Sequence, residues 1–323
     1  MNCCFFDAHA MNVRIPFRLQ PDTKGQPQFQ WLNSGATFFT DPFFEETITR
    51  LYGLPENVRP YPVTNVAELL AAGKAVDAVL PTAFIFHISR CGSTLLSQLL
   101  SLDERCIVLS EVPLLDAILR FSFSSQQSFP EKEIFDAALR LLGQKRTGKE
   151  QFLFIKVDSW HTMFYGRLRE WYPHVPFFLL HRSPREVMRS HLKQKGMHAV
   201  PGVIEPQVFG FGAEALLETD LDRYLANVLH AYFEKYNTIL AQDKNAFPLS
   251  YHDGAAKMVE DVATRCGIVF CESVLSAMQQ RGQQHSKDPQ KVFSEEKTNA
   301  GDAFAFPALE ELFQQLQRSR VIG

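Results

Sequence analysis

The chain has 323 residues and a net charge of −3, with 46% hydrophobic and 21% charged residues. These proportions are typical of globular proteins, and they exclude disordered, collagen-like and coiled-coil chains. The acidic balance argues against a general nucleic-acid-binding protein, which would usually be basic overall, but it is compatible with a local anion site.

Neither a leader nor a membrane segment is predicted. Residues 1–17 lack the basic start and long apolar run of a signal peptide. Apolar stretches such as 175–180 are far shorter than the roughly 20 residues of a membrane helix. The six cysteines form no C-x-x-C pair, which favours free buried thiols in a reducing compartment. We therefore expect a soluble, cytoplasmic protein without membrane or nucleic-acid partners.

The first 80 residues are rich in Pro, Gly, Asn and Thr. Short extended pieces are predicted at 28–32 and 36–39. One helix is predicted behind Asp41 and Pro42, which suit its N-cap and first position, and another at 66–73. We interpret residues 1–80 as an irregular N-terminal cap that does not form an independent domain.

From residue 81 onwards, apolar strands alternate with amphipathic helices. Strands are predicted at 83–88, 106–109, 152–157, 175–181 and 247–251. Helices are predicted at 93–102, 114–121, 131–142, 160–171, 184–195, 213–241, 254–266 and 307–318, and residues 283–302 are predicted to be a mobile polar loop. This alternation indicates an α/β domain over 81–323 with a mainly parallel five-stranded sheet flanked by helices. Ligands of such sheets bind beyond the carboxyl ends of the strands.

The first predicted strand ends in S-R-C-G-S-T, residues 89–94, which lead into a helix. Unpaired N–H groups and the positive end of the helix dipole make such a junction suited to phosphate. It is not a Walker A loop, because His87 stands at the first glycine position and Ser93 at the lysine position. A helix cap that binds nothing is the alternative.

A second basic segment follows the fourth predicted strand. Residues 182–195 carry five Lys/Arg and one acid inside an acidic protein. Arg182 lies at the strand end, and Ser190 lies two helical turns later on a face that can turn back to the same pocket. An arginine fork with a hydroxyl suits a second phosphate. The alternative is a solvated basic helix face, above all for Arg185, Arg189, Lys193 and Lys195.

Together the two segments resemble the sulfotransferases that use 3′-phosphoadenosine 5′-phosphosulfate. Residues 89–95 resemble the family's 5′-phosphosulfate loop, with Arg90 as in carbohydrate and tyrosylprotein members. The sequence R-S-P-R-E-V-M-R-S, residues 182–190, resembles its 3′-phosphate clip. The resemblance implies a P-loop-type fold, that donor, no essential metal, and a small-molecule hydroxyl acceptor such as a sugar, alcohol or phenol.

The resemblance also implies which residues contact the donor. These are Arg90, Cys91, Gly92, Ser93, Thr94, Leu95, Arg182, Ser190 and Lys297. Leu95 stands where many cytosolic members have an adenine-stacking Trp. The family's C-terminal R-x-G-x-x-G-x-W-K pattern is absent, and its nearest counterparts are Ser286, Lys287, Phe293 and Lys297.

Sulfuryl transfer requires a cation near the leaving phosphate and a base for the acceptor proton. Lys156, which ends the third predicted strand, matches the family's lysine at that place, with a snorkelling strand-end lysine as the alternative. For the base we rank Glu111 first, Asp158 second and His161 third. Glu111 could instead be an acid that favours the start of the following helix.

Two other functions are left open by the sequence. Residues 152–158 form an apolar strand ending in Asp, which imitates a Walker B segment of an ATP- or GTP-dependent P-loop kinase, although the Walker A lysine is missing. A non-catalytic nucleotide-binding relative would keep Arg90 and Arg182 without needing Glu111 or Lys156.

Overall fold

The computed structural model describes residues 13–124, 129–285, 288–292 and 306–322. The chain divides into two compact units, one formed by the residues up to 81 with 104–153, and the other by 82–103 with the residues from 154 onwards. That residues 1–80 do not form an independent domain stays a prediction.

The described strands and helices are given in chain order. The strands are β1 Arg14–Pro21, β2 Pro27–Asn33, β3 Val63–Thr64, β4 Pro81–His87, β5 Cys106–Ser110, β6 Phe152–Lys156, β7 Phe177–His181, β8 Ala246–Ser250, β9 Gln284–His285 and β10 Asp288–Val292. The helices are α1 Phe44–Leu51, α2 Val66–Ala75, α3 Ser93–Leu100, α4 Pro113–Leu119, α5 Phe121–Ser124, α6 Glu131–Leu142, α7 Tyr165–Trp171, α8 Pro184–Lys193, α9 Leu221–Gln242, α10 Gly254–Cys266, α11 Glu272–Gly282 and α12 Pro307–Ile322.

A five-stranded parallel sheet with the order β5-β6-β4-β7-β8 forms the centre of the α/β fold. Phe84 pairs with Phe177 and His87 with Leu180 between β4 and β7, and β8 continues the parallel register from β7. Strands β5 and β7 are buried along their whole length, as expected for a parallel sheet covered on both faces by helices. The predicted fold class is confirmed.

The N-terminal residues are more regular than predicted. Strands β1, β2 and β3 form a separate antiparallel sheet, and β1 was not predicted. Its hairpin turn is fixed by Asp22, whose Oδ1 accepts hydrogen bonds from the backbone N–H groups of Lys24 (2.8 Å) and Gln26 (2.7 Å). The extended piece predicted at 36–39 forms no strand: the chain turns at Gly35, with a φ of 50°, and residues 37–39 have no regular secondary structure.

The long helix predicted at 213–241 begins later, at Leu221. The Asp220 carboxylate accepts hydrogen bonds from the N–H groups of Asp222 and Arg223 and so caps α9. Residues Ala213–Leu217 form a separate 3₁₀ helix, and Leu217 is 80% exposed although it continues the hydrophobic spacing of the predicted helix. The apolar face of α9 is otherwise as predicted, with Leu225, Val228 and Tyr232 buried.

Three elements near the C-terminus were not predicted. Helix α11 follows α10 directly, and β9 pairs with β10 where a polar loop was expected. Among the described cysteines, all of which are free thiols, Cys91 and Cys106 are buried as predicted, but Cys271 is exposed. None of the described helices combines the length and apolar character needed to cross a membrane.

Candidate active site

The loop between β4 and α3 has an unusual backbone. Ser89 has a φ of 69°, Arg90 of 50° and Gly92 of 87°, all in the left-handed region. Among the described residues, only Ser89, Arg90 and Glu111 combine a side chain with a positive φ. Each follows the carboxyl end of a parallel strand, and strain of this kind concentrates at functional sites because the surroundings must enforce it.

Hydrogen bonds to two buried histidines hold Ser89 in this conformation. Its N–H donates to His87 Nδ1 at 3.1 Å, and its Oγ lies 3.4 Å from Nε2 of His191 in α8. His191 Nδ1 accepts from the N–H of Gly196 at 3.1 Å, so a neutral His191 ring carries its proton on Nε2 and donates it to Ser89. The Ser89 hydroxyl therefore faces α8.

Arg90 is also directed at α8. Its Nη2 donates to the carbonyl of Gln194 at 2.7 Å, and Gln194 is the C-cap of that helix. A cation at a helix C-terminus is stabilised by the helix dipole. Contact of the Arg90 guanidinium with a phosphate stays a prediction, and the observed hydrogen bond shows that it also anchors the loop.

The N-terminus of α3 presents the backbone of residues 93–95. The first hydrogen bond of the helix runs from Leu96 N–H to the carbonyl of Gly92, and the N-cap Gly92 supplies no side-chain cap. The Ser93 and Thr94 side chains are buried, and Leu95 is half-buried. Three N–H groups at the positive end of a helix form a donor set suited to an anion.

The Cys91 side chain lies beneath the loop, where it is fully buried. Its Sγ donates to the carbonyl of Leu180 at 3.5 Å. Burial raises the pKa of this thiol to about 12, against smaller opposing effects of backbone hydrogen bonds and of the Arg182 and Lys156 charges. Cys91 is therefore a protonated thiol that supports the loop, and two cations lie near enough to act on it.

Lys156, at the end of β6, is completely buried. Its Nζ lies 3.4 Å from Oγ1 of Thr94 in α3. An ammonium group so deep in a protein is costly unless negative charge or hydrogen bonds accompany it. Lys156 lies against residues 89–94, which we call the anion loop, rather than in solvent, and this position contradicts the snorkelling alternative.

Asp158 and His161 pair with each other in a capping box at the 3₁₀ helix Ser159–Phe164. The Asp158 side chain accepts from the backbone of His161, while His161 Nδ1 accepts from the Asp158 N–H at 3.3 Å. Both side chains are buried. This arrangement gives each of them a structural role at the end of β6.

Glu111 follows β5 directly and is half-buried, with a φ of 55°. Helix α4 has Val112 as its N-cap and Pro113 at its first position, so Glu111 precedes the helix instead of capping it. The predicted alternative of a cap or first-turn acid therefore does not describe this residue. Glu111 belongs to the first compact unit.

Arg182 lies one residue beyond β7 and is surrounded by polar and aromatic groups. Its Cζ lies 4.1 Å from the ring centroid of Tyr251, and its Nε lies 3.2 Å from Oε2 of Glu186. Its Nη1 lies 3.5 Å from the carbonyl oxygen of Arg90, which connects it to the anion loop. Ser190 is one helical turn beyond Glu186, on the same face of α8.

Tyr251 is a site residue that the sequence reasoning missed. A Cβ atom on Gly92 would lie 2.7 Å from Tyr251 Cδ2, so the aromatic ring packs directly against the loop backbone. Tyr251 follows the end of β8, and the rule that ligands bind beyond strand ends could have identified it. Lys297, with its alternatives Ser286, Lys287 and Phe293, lies outside the described residues.

No family model matches the chain, and no curated protein matches it significantly. Among solved structures, it is similar to sulfotransferase STF9 from Mycobacterium avium, with a TM-score of 0.48 and 14% identity over 79% of each chain. It is also similar to sulfotransferase STF1 from Mycobacterium tuberculosis (TM-score 0.42, 13% identity, 66% of this chain and 73% of that one). A third similarity is to mouse sulfotransferase SULT7A1 complexed with PAP (TM-score 0.40, 11% identity, 80% of this chain and 92% of that one). Similarities at this level carry no argument about activity, so the functional argument rests on the residues.

Within the second unit, two groups suited to bind anions lie beside the loop between β4 and α3. A buried ammonium group and a helix N-terminus lie on one side, and a guanidinium group at the next strand end lies on the other. Such an arrangement can bind a ligand that carries two separated anionic groups, and it can stabilise negative charge that develops on one of them.

Proposed function

We propose that the protein is a sulfotransferase that transfers a sulfuryl group from 3′-phosphoadenosine 5′-phosphosulfate to a hydroxyl acceptor. The observation that carries this proposal is the completely buried Lys156, whose Nζ lies 3.4 Å from Thr94 at the start of α3. A fixed cation there replaces the divalent metal ion that phosphate-transferring enzymes bring to a similar loop.

Residues at the start of α3 and residues of the β7–α8 segment contact different parts of the donor. The N–H groups of residues 93–95 and the Thr94 hydroxyl receive the 5′ end, while Arg182 and Ser190 receive the 3′-phosphate. Gly92 allows the loop backbone to pack directly against the Tyr251 ring, because a side chain at position 92 would collide with that ring.

The reaction is an in-line transfer. The acceptor oxygen forms a bond to sulfur while the bond from sulfur to the bridging oxygen of the 5′-phosphate breaks. The acceptor proton passes to a base, and the leaving product is 3′-phosphoadenosine 5′-phosphate. Lys156 stabilises the negative charge that grows on the leaving phosphate.

Glu111 is our first candidate for the base. Its backbone is left-handed, with a φ of 55°, and it does not serve as a helix cap. Asp158 and His161 are weaker candidates because their side chains already bond to each other's backbone. Base catalysis by a positioned side chain contributes roughly 10²–10⁴-fold to turnover.

The test compares binding with turnover. Titration calorimetry measures binding of the product 3′-phosphoadenosine 5′-phosphate and of adenosine 5′-monophosphate, and a panel of sugars, alcohols and phenols is screened with the sulfuryl donor. Arg182→Ala should weaken binding of the product by about 2 kcal/mol and abolish its preference over the monophosphate. Failure of the wild-type protein to distinguish the two nucleotides would refute the donor site.

Two further variants separate the catalytic roles. Glu111→Gln should leave nucleotide affinity nearly intact while turnover falls by roughly 10²–10⁴-fold. Lys156→Ala should lower turnover and also weaken donor binding, because its charge meets the donor before the reaction begins. If Asp158→Asn abolishes turnover while Glu111→Gln does not, the base lies after β6. Transfer from ATP that depends on magnesium would instead indicate a kinase.

A further inference from the structure

A row of charged and aromatic side chains connects Arg182 to the segment that follows β8. The Glu186 carboxylate lies between Arg182 and His252: its Oε2 is 3.2 Å from Arg182 Nε and 2.9 Å from His252 Nε2. Its Oε1 also accepts from Arg182 Nη2 at 3.4 Å. Tyr251, the neighbour of His252, covers the Arg182 guanidinium.

This arrangement places a carboxylate at an arginine that is proposed to bind a phosphate. Because like charges repel, a carboxylate beside Arg182 opposes the binding of a phosphate there. Glu186 lies along the Nε and Nη2 edge of Arg182, where Oε1 accepts from Nη2 and Oε2 is 3.2 Å from Nε, and this is the edge that would bind a phosphate in a bidentate way. A group that draws the carboxylate away from this edge would improve phosphate binding.

His252 is placed to be that group. Its Nε2 is at hydrogen-bonding distance from the Glu186 oxygen nearest to Arg182, and its backbone N–H is fixed by Ser250 Oγ at 3.3 Å. Its side chain is 49% exposed, so it is not part of the core and its removal leaves the packing of the sheet intact.

We propose that His252 is a positioning residue for the 3′-phosphate of the donor, acting through Glu186; this inference rests on the proposed function. The imidazole holds the carboxylate and keeps it from pairing fully with Arg182. The guanidinium then remains directed at the phosphate, between the Tyr251 ring and the loop.

The test measures discrimination between 3′-phosphoadenosine 5′-phosphate and adenosine 5′-monophosphate by titration calorimetry. His252→Ala should weaken binding of the first nucleotide about tenfold, equivalent to about 1.4 kcal/mol, and leave that of the second unchanged. His252→Gln, which keeps an N–H donor beside Glu186, should recover most of the loss. His174→Ala removes another exposed histidine of the same unit and serves as the control, with both affinities unchanged.

Repeating His252→Ala in a Glu186→Gln background shows whether His252 acts through Glu186. Without the carboxylate there is no charge for His252 to hold, so His252→Ala should then change neither affinity. In steady-state assays, His252→Ala should raise the KM for the donor more than it lowers kcat, whereas a simple loss of folded protein would lower kcat alone.

Three results would overturn the inference without touching the proposed function: unchanged discrimination in His252→Ala, equal weakening of both nucleotides, or an effect that persists in the Glu186→Gln background. The last of these would mean that the imidazole contacts the phosphate directly. If the wild-type protein binds the two nucleotides equally, the donor site itself is refuted, and the role of His252 with it.

Discussion

Replacing Gly92 by alanine tests how the anion loop is packed. The new Cβ would lie 2.7 Å from Tyr251 Cδ2 and 3.0 Å from Cε2, whereas carbon atoms in contact prefer about 3.5–4.0 Å. The ring would therefore have to move by about 1 Å, away from its place over the Arg182 guanidinium. A φ of 87° adds a backbone cost of about 1–2 kcal/mol, and the steric conflict adds about 1–3 kcal/mol.

A matched control separates the two costs. Gly267, the C-cap of α10 in the same unit, has a φ of 67°, and a Cβ there would meet nothing within 4 Å. Gly267→Ala should therefore show only the backbone cost. The urea concentration at the unfolding midpoint, followed by tryptophan fluorescence, gives the comparison.

The expected order is wild type, then Gly267→Ala, then Gly92→Ala as the least stable. Removing the ring by Tyr251→Ala should remove the steric conflict. In the Tyr251→Ala background, Gly92→Ala should therefore lower the free energy of unfolding by no more than Gly267→Ala does in wild type. If Gly92→Ala and Gly267→Ala destabilise the wild-type protein equally, the Tyr251 ring is not the obstacle and the close packing of the loop has been misjudged.

Three further predictions concern stability and thiol chemistry. Asp220→Ala should destabilise the protein by about 1 kcal/mol in urea unfolding through loss of the α9 cap, with a smaller effect for Asp220→Asn; equal losses would contradict the capping role. Cys271 is exposed, and its pKa is lowered mainly by its hydrogen bond with Ser273. It should therefore react with iodoacetamide in the native protein before the buried Cys91, and peptide mass mapping measures the two rates. Equal rates would argue against the burial of Cys91. Burial raises the pKa of Cys91 from 9.0 to about 12, so its contribution to stability is fully present below pH 9 and is lost as the pH rises towards 12. Over that range the unfolding free energy of wild type should fall more steeply than that of Cys91→Ser, by about 1.4 kcal/mol per pH unit, and parallel curves would refute the shift.

Strong local signals made much of the α/β fold predictable. The apolar runs of β4 to β8 have no polar alternation, so they could only be buried strands or buried helix segments, and their length decided between the two. Helices α6 and α10 were predicted with their observed ends, because Gly143 and Gly267 follow them directly.

The errors arose where a tertiary contact or a polar sequence concealed the structure. Hydrophobic spacing continues through Leu217, so only the Asp220 cap reveals that α9 starts later. Strand β1 contains Pro16 and has a bulge between Pro16 and Arg18, which weakens its alternating pattern. Strands β9 and β10 are too polar to be distinguished from a loop.

At the candidate site, sequence patterns identified residues but not the directions of their side chains. The left-handed backbone of Ser89 and Arg90 directs both side chains towards α8, where they contact His191 and Gln194. Nothing in residues 89–94 indicates this, because the partners His191 and Gln194 are distant in sequence. Likewise, no local pattern connects Tyr251 with Gly92.

The bonds between the anion loop and α8 limit how the loop could be used in protein design. Ser89 is held by His191, which lies 102 residues later in the chain, and Arg90 by the carbonyl of Gln194. A graft of residues 89–95 onto another α/β sheet would carry the sequence of the loop without the contacts that maintain its two left-handed side-chain-bearing residues. The loop would then relax to an ordinary turn. The smallest transferable module is the loop together with the helix beside it.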